Sequence, residues 1–272
     1  MLRDITLGQY YQTDSVIHRL DPRVKLVGTI CFIVSLFIVD NFIGYLLAGL
    51  FLVAVIKLSK VPFKFMVRGM KAIVFLLVIA VVFNLFLTPG EVVFSFWKLQ
   101  ITKEGIRLAA FMGIRLCFLI VGSSVMTLTT TPNNLTDGLE KLLGPLKVLK
   151  VPVHEIAMMM SIALRFIPIL LEETDKIMKA QIARGADFES GNLIQKAKNL
   201  VPLLVPLFIS AFRRANDLAM AMEARCYHGG EGRTKMKPLR YKKQDGWAYA
   251  VLCVYLAVII GLRVLGNYVP LI

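Results

Sequence analysis

The sequence predicts an all-α polytopic membrane protein with about five transmembrane helices and a cytoplasmic domain of long amphipathic helices. Hydrophobic residues make up 57% of the chain, and its mean hydropathy is +0.67. Soluble domains average roughly 45–50% apolar residues. The excess lies in blocks near the roughly 17–25 residues that cross a bilayer. A long segment between the last two blocks is instead rich in charges of both signs.

Five apolar runs are predicted to span the membrane. Four form an N-terminal transmembrane domain, residues 1–130, and the fifth lies in residues 246–272; the runs are 24–39, 42–58, 72–87, 106–128 and 247–264. Asp40 and Asn41 predict a tight turn after the first run, and the aromatic residues around Trp97 predict an interfacial hairpin after the third. No cleavable signal peptide is visible, so we expect the first run to serve as its own insertion signal.

Residues 131–245 allow two interpretations, either two further spans or the amphipathic helices of a cytoplasmic domain. Apolar residues of 156–178 recur close to the 3.6-residue period of one helical face, and 204–222 carry a similar stripe. Charged residues such as Arg213, Arg214 and Asp217 occupy the remaining faces. A lipid-facing span would not tolerate so many ions, so the pattern favours the cytoplasmic interpretation.

The positive charge of the chain predicts its orientation. The formal net charge is +14, which in a soluble protein would indicate a nucleic-acid partner. Here the cations lie beside the first span, where they include Arg23 and Lys25, and in residues 57–71 and 131–245, while the opposite loops hold few. The positive-inside rule therefore predicts a cytoplasmic N-terminus and an extracellular C-terminus, with membrane lipid but no nucleic acid among the partners.

We find no pattern that predicts catalysis, a metal site or a cofactor. The run His154-Glu155 resembles the start of a metalloprotease motif, but the second histidine is absent. The chain has no phosphate-binding loop and no nucleophile elbow, so it is expected not to hydrolyse nucleotide itself. Its four cysteines show no paired spacing that would indicate a metal site or a disulfide framework.

One strong charge falls inside a predicted span. Arg115 lies within the fourth apolar run, where a cation is costly unless it is paired or faces a polar cleft. It is expected either to pair within this chain or to bind an acidic residue of a partner, and the sequence does not decide between the two.

Two short motifs close the long helices of the middle segment. They are Ala183-Arg184-Gly185 and Ala224-Arg225-Cys226. A cation at a helix C-terminus is stabilised by the helix dipole, and a planar guanidinium between small residues can enter a groove on another protein. One copy would be an ordinary helix stop. Two copies predict two similar receptors or one dimeric receptor. A chain without an ATPase loop then fits a transporter subunit driven by a pair of ATPases.

These motifs resemble the transmembrane T component of energy-coupling factor (ECF) vitamin and metal transporters. The runs "GQYYQTDSVIHRLDPRVKL", "RFIPILLEETDKIMKAQIARGAD" and "RRANDLAMAMEARCY" are also similar to that family. The resemblance implies long coupling helices crossed in an X, in a multi-pass protein of a prokaryotic plasma membrane. It implies that Arg184 and Arg225 each dock one of two ABC-type ATPase subunits. Family members often have Ser or Gly where this chain has Cys226.

The resemblance also implies a third partner, a membrane-embedded S subunit that captures the vitamin or metal. The apolar stripes of the coupling helices are then its expected interface: Met159, Met160, Ala163, Phe166, Ile167, Leu170, Leu204, Phe208, Ala211, Phe212 and Ala215. Because methionine side chains repack readily, this face could serve several interchangeable S subunits. The alternative function, a self-contained secondary transporter, needs ionisable groups near the bilayer midplane, and only Arg115 clearly qualifies.

Overall fold

The computed structural model describes residues 10–39, 41–96, 99–188, 192–230, 236 and 238–268. Its α-helices are α1 (Val16–Arg19), α2 (Pro22–Ile38), α3 (Phe42–Ser59), α4 (Phe63–Leu87), α5 (Lys103–Thr129), α6 (Pro132–Leu142), α7 (Val153–Ala183), α8 (Leu193–Asn199), α9 (Val201–Glu223) and α10 (Lys243–Tyr268). A 3-10 helix, Gly144–Leu149, connects α6 to α7. The predicted all-α class is confirmed.

A small antiparallel hairpin accompanies the helices at the position expected from the sequence. Strands β1 (Val92–Phe96) and β2 (Leu99–Thr102) pair between α4 and α5, with Phe96 opposite Leu99 in the backbone register. Trp97, on which the prediction of an interfacial hairpin centred, lies outside the described residues. One hydrogen bond closes the base of the hairpin: the Thr102 hydroxyl donates to the backbone carbonyl oxygen of Thr88 at 2.9 Å.

The chain divides into two compact units. Residues 8–138 and 239–272 form one, and residues 139–238 form the other. The division falls within α6 and shortly before α10, close to the predicted domain boundaries at residues 131 and 245. The first unit contains the helices predicted to form the transmembrane bundle, and the second contains α7, α8 and α9.

Among the described residues, four helical segments are long and apolar enough to cross a membrane. Three coincide with predicted spans, and the fourth is α7; the segments are Phe42–Ser59, Lys103–Thr129, Val153–Ala183 and Lys243–Leu265. The predicted spans at 24–39 and 72–87 correspond to the 17-residue helix α2 and to the C-terminal part of α4. Length and composition therefore leave both interpretations of α7 open, and its cytoplasmic placement stays a prediction.

The core of the transmembrane unit lies where α2, α3, α5 and α10 meet. Its buried members include Leu36, Ala48 and Val125. The hydroxyls of Ser35 on α2 and Tyr255 on α10 hydrogen-bond at 2.8 Å, so this apolar core contains a polar tie between its first and last helices. Such a buried pair favours one arrangement of the two helices because each hydroxyl would otherwise lose a partner.

A buried ionic cluster joins the beginnings of α2 and α10 to the end of α5. The Asp245 carboxylate, 1% exposed, accepts the backbone N–H of Asp21 at 2.8 Å. Burial alone would raise the pKa of Asp21, but hydrogen bonds from the side chain and backbone of Arg23 outweigh it and lower the pKa. The Lys25 ammonium donates to the carbonyl oxygen of Thr129 at 2.8 Å. Lys25, which we used only to predict orientation, therefore also ties α2 to the end of α5, and Asp245 ties α2 to α10.

Candidate docking and coupling site

Helices α7 and α9 pack against each other and run in opposite directions. Arg214 Nη2 of α9 donates to Glu173 Oε2 of α7 at 2.8 Å. Eight residues further along α7, Gln181 Nε2 donates to the carbonyl oxygen of Pro202 at 3.4 Å. Because a later residue of α7 meets an earlier residue of α9, the pair is antiparallel. The C-terminal ends of the two helices consequently lie at opposite ends of the pair.

The Glu173–Arg214 ion pair is the main polar contact between these helices among the described residues. The Ser210 side chain of α9 lies beside the same Glu173 carboxylate. The two charged side chains are partly exposed, at 21% for Glu173 and 38% for Arg214. Sequence periodicity assigned Arg214 only to a charged face and did not single out Glu173, because it gives no information on which residues of different helices meet.

Helix α7 ends in a Schellman motif, a common C-terminal cap. The N–H of Ala186 donates to the carbonyl oxygen of Gln181 at 3.0 Å, and the N–H of Gly185 donates to the carbonyl oxygen of Ile182 at 2.9 Å. Gly185 is left-handed, with a φ of 90°. These two bonds satisfy carbonyl groups that the helix leaves unpaired at its end. Arg184 is the last residue before the turn and is exposed.

Helix α9 ends in the same motif. The N–H of Tyr227 donates to the carbonyl oxygen of Met222 at 3.1 Å, and the N–H of Cys226 donates to the carbonyl oxygen of Glu223 at 2.8 Å. Cys226 takes the left-handed position, with a φ of 56°. Arg225 is again the residue before the left-handed one, so both arginines occupy the same position in the same backbone turn. We call these two C-terminal turns, residues 183–185 and 224–226, the arginine tips.

The left-handed turn gives a backbone reason for glycine at the third position of the first tip, whereas Cys226 bears the cost of that conformation. The sequence suggested that small neighbours clear space around the arginine. In the structure, Gly185 and Cys226 are the left-handed residues of their turns, a conformation that costs an L-residue roughly 1–2 kcal/mol and glycine almost nothing. All six tip residues are exposed. Within the described part of the chain, the Arg184 and Arg225 guanidinium groups have no hydrogen bond or ion pair.

The arginine tips are equally far from the ion pair. Arg184 follows Glu173 by eleven residues on α7, and Arg225 follows Arg214 by eleven residues on α9. At a rise of 1.5 Å per residue, each tip lies about 16 Å from the ion pair along its own helix. Two equivalent turns therefore lie at equal distances from the Glu173–Arg214 contact along two antiparallel helices.

Comparisons with known proteins identify the family. A family model described as CbiQ, cobalt transport protein, matches residues 13–236, a range that includes both arginine tips and the ion pair. This chain belongs to the CbiQ family. The energy-coupling factor transporter transmembrane protein EcfT of Clostridium kluyveri is 58% identical over 264 residues, covering 96% of this chain and 97% of its own length. The protein of the same name from Bacillus subtilis is 46% identical over 264 residues, covering 97% and 100%.

These comparisons confirm the resemblance to the ECF transporter T component. The CbiQ-family chain belongs to a family of transport proteins and is a transmembrane component of a transporter. The relatives are bacterial proteins, and the four apolar helical segments among the described residues agree with a multi-pass membrane protein.

Part of the stripe predicted on α9 remains uncovered in the CbiQ-family chain. Leu204, Phe208 and Phe212 are 42%, 62% and 67% exposed, and Ala215 is exposed as well, whereas Ala211 is half-buried. The face of α9 that turns towards α7 is the neighbouring one; its less exposed residues are Leu203, Leu207, Ser210, Arg214 and Leu218. The predicted stripe is therefore not the surface that joins the two coupling helices.

The stripe predicted on α7 is more mixed. Met159 and Met160 are 58% and 41% exposed, and Ala163 is exposed. Further along the helix, Phe166, Ile167 and Leu170 are half-buried. The methionines at the N-terminal half of α7 are thus available to a partner, and the role of the whole stripe as an interface stays a prediction.

Arg115 is engaged within the transmembrane unit of the CbiQ-family chain. Its Nε donates to the Tyr45 hydroxyl at 2.9 Å, and its Nη2 donates to the carbonyl oxygen of Val39 at 3.3 Å. The guanidinium also lies 5.5 Å from the centre of the Phe37 ring. These contacts provide internal compensation for a costly intramembrane charge, which was one of the two outcomes that the sequence left open.

The left-handed turn of the second arginine tip predicts an ordered series of stabilities. Cys226→Gly should leave the stability of the chain unchanged or raise it, because glycine adopts this φ without strain. Cys226→Val should lower the stability further, by up to about 1 kcal/mol, because a β-branched residue fits this conformation less well than cysteine, which already bears part of its cost. Thermal unfolding of the purified protein in detergent measures both effects.

Cys253→Val is the matched control for that series. Cys253 is also an exposed, free cysteine, but it lies within helix α10, where valine adopts the helical φ at small cost. If valine lowers the unfolding temperature equally at positions 226 and 253, the left-handed turn does not explain the small residue of the second tip.

Proposed function

We propose that this chain is the coupling subunit of an ATP-driven ECF importer for a vitamin or metal. In this function it joins two ABC-type ATPase subunits to a membrane-embedded S subunit, which holds the substrate. One observation carries the proposal: the two arginine tips have the same backbone turn and lie eleven residues from one central ion pair on antiparallel helices. The chain itself hydrolyses no ATP in this scheme.

The symmetry of the tips supports a paired receptor. Two similar ATPase subunits form a dimer whose equivalent grooves are related by a two-fold axis. A single chain can occupy both grooves in the same way only if it presents two equivalent protrusions with matching symmetry. The pair α7 and α9 provides such protrusions at its opposite ends, with Arg184 at one and Arg225 at the other.

Each arginine is suited to docking in a groove. Its guanidinium is always charged and can make two parallel hydrogen bonds to a carboxylate or to backbone carbonyl groups. It is exposed at a helix C-terminus, where the helix dipole favours a cation. Two attachments on one chain also make the second binding event intramolecular, so the ATPase pair is held more tightly than by either tip alone.

The ion pair supplies a pivot for the movement. When ATP closes the ATPase dimer, the grooves move and carry the arginine tips with them. Because the helices are antiparallel and tied at Glu173 and Arg214, displacement of their outer ends changes the crossing angle at that contact. The exposed apolar residues of α9, among them Phe208 and Phe212, then change their orientation relative to the S subunit that we propose covers them.

In this scheme α7, α8 and α9 lie on the cytoplasmic side, with the N-terminus also cytoplasmic and the C-terminus extracellular. The support is the distribution of Lys and Arg, together with the ion pair and the charged tips. The exposed methionines of α7 allow one S subunit or several interchangeable ones to bind the same face, since methionine adapts to different surfaces.

Purification of the intact complex in mild detergent tests the proposal. We expect the tagged chain to co-purify with two ATPase polypeptides and one small membrane protein, and to support substrate uptake into proteoliposomes only when ATP is supplied to the side carrying the ATPases. Substrate uptake by the chain alone, without ATP, would instead establish a self-contained secondary transporter and would rule out the coupling function.

A further inference from the structure

The 3-10 helix between α6 and α7 has three distinct edges. A 3-10 helix has three residues per turn, so residues three apart lie one above another. Within this helix, Gly144–Leu149, the residues sort into two apolar edges and one basic edge: Leu146 and Leu149; Pro145 and Val148; and Gly144 and Lys147. Leu143 comes before the helix, and Lys150, left-handed with a φ of 59°, and Val151 follow it to complete the run "LGPLKVLKV" of residues 143–151. We call these residues the leucine–lysine segment.

The apolar edges of this segment are largely uncovered by the rest of its own unit. Val148 is 87% exposed and Leu149 is 74% exposed, and Leu143 and Leu146 are 40% and 38% exposed. Exposed aliphatic side chains of this size are costly in water when they are contiguous. A hydrophobic environment outside this unit would remove that cost.

The charges around the segment point to the kind of environment. Lys141, Lys147 and Lys150 are all exposed, and the sequence holds no acidic residue from Lys141 to Val153. Lysine side chains can extend from an apolar surface towards phosphate groups while their methylene stems remain in contact with that surface. A surface of two apolar edges beside a lysine edge is typical of segments that lie in the interface of an anionic bilayer.

We propose that the leucine–lysine segment inserts its apolar edges into the headgroup region of an anionic lipid leaflet. The chain keeps the segment within reach of a membrane, because α5 is one of the helices apolar enough to cross it and ends only fourteen residues before Leu143. Lys147 and Lys150 bind lipid phosphates, and Val148 and Leu149 occupy the boundary between headgroups and acyl chains. The proposal does not depend on docking of the arginine tips.

Anchoring at this point fixes the beginning of α7. Val153, the first residue of α7, follows the segment directly after Pro152, and its side chain is buried. A bound segment holds the N-terminal end of this long helix at the depth of the lipid headgroups. Its C-terminal end, with Arg184, remains free to move.

Tryptophan fluorescence in brominated lipid tests the insertion. Val148→Trp is introduced into the full chain, which is reconstituted in vesicles of phosphatidylcholine with or without anionic phosphatidylglycerol, and the spectrum of the parent protein is subtracted. We expect emission of the added tryptophan to be blue-shifted and to be quenched by lipid brominated on its acyl chains, more strongly when phosphatidylglycerol is present. Asp217→Trp, at an exposed position of α9, is the matched control and should be neither blue-shifted nor quenched.

Removing the lysine edge provides the electrostatic part of the test. Lys147→Gln and Lys150→Gln in the Val148→Trp protein should lower the ratio of bound to free segment about fivefold per lysine. Each cation near an anionic surface contributes a similar binding free energy, and each substitution removes one such contribution. Quenching should then fall in anionic vesicles and match that in neutral ones. The proposal is overturned if the tryptophans at positions 148 and 217 behave alike in anionic vesicles, or if quenching disappears when the complete transporter with its partner subunits is reconstituted.

Discussion

Arg184→Ala and Arg225→Ala in the same chain should separate it from its ATPase subunits and abolish uptake, while the protein remains folded in the membrane. Both guanidinium groups are exposed and take no part in a hydrogen bond or ion pair among the described residues, so their loss removes little internal stability. An arginine that anchors an interface contributes about 2 kcal/mol or more. Each substitution should therefore weaken association about 30-fold, and the double variant should lose both attachments.

The measurement is ATPase recovered per tagged chain, together with ATP-dependent uptake into proteoliposomes. The matched control is Arg165→Ala with Arg213→Ala, which removes two exposed cations from the same two helices away from their ends. The control variant should keep parental ATPase recovery and parental uptake. Full ATPase stoichiometry and parental uptake in the double tip variant would show that the tips do not dock the ATPases.

The single tip variants test the symmetry of the docking. If the two ATPases present similar grooves, Arg184→Ala and Arg225→Ala should weaken association to a similar extent, because both arginines occupy the same position of the same turn. Unequal effects would indicate two different ATPase subunits. If both single variants retain the ATPases equally and only the double variant loses them, either tip alone suffices to hold the ATPase pair.

The sequence predicted the helices and the tips well because both depend on local patterns. Apolar runs of membrane length identified the spans that correspond to α3, α5 and α10, and an Ala-Arg-small pattern identified the two helix ends. The backbone of those ends was predicted less well. Cys226 gave no sign of a positive φ, which is a conformation usually associated with glycine or asparagine.

Contacts between distant residues could not be predicted in the same way. Asp21 and Asp245 are 224 residues apart in the chain, and Glu173 and Arg214 are 41 apart. Periodicity assigns a residue to a face of its own helix but does not determine the register between two helices. The sequence could therefore place Arg214 on a charged face without identifying its partner, and it treated Arg23 only as a signal of orientation.

Helix α7 shows the limit of hydropathy as a predictor. Its N-terminal half contains the apolar run "IAMMMSIAL", and its C-terminal half contains Glu172, Glu173, Asp175 and Lys176. Averaged over a span-length window the helix is apolar enough to cross a bilayer, although its charges favour a surface that meets water or protein. Hydropathy is averaged over a window of residues, so it carries no information on the direction in which each side chain projects. It therefore does not decide whether α7 crosses the membrane.

Breaking the Glu173–Arg214 ion pair should uncouple uptake from ATP hydrolysis without releasing the ATPases. In Glu173→Gln the arginine tips are unchanged, so ATPase stoichiometry should stay at the parental level. The contact between α7 and α9 loses its charge attraction, and an ion pair that is partly exposed is worth up to about 1 kcal/mol. We therefore expect the number of substrate molecules taken up per ATP to fall up to about fivefold, with only a small loss of thermal stability.

Exchange of the two charges separates a pivot from a merely stabilising contact. Glu173→Arg and Arg214→Glu should each reduce uptake per ATP more strongly than Glu173→Gln, because each places like charges at the crossing. The double exchange restores opposite charges and should recover most of the lost coupling. If uptake per ATP is the same in the parent, both single variants and the double exchange, the movement does not pass through this ion pair. Coupling that falls in the single variants and stays low in the exchange would instead show that position 173 requires a carboxylate for another partner.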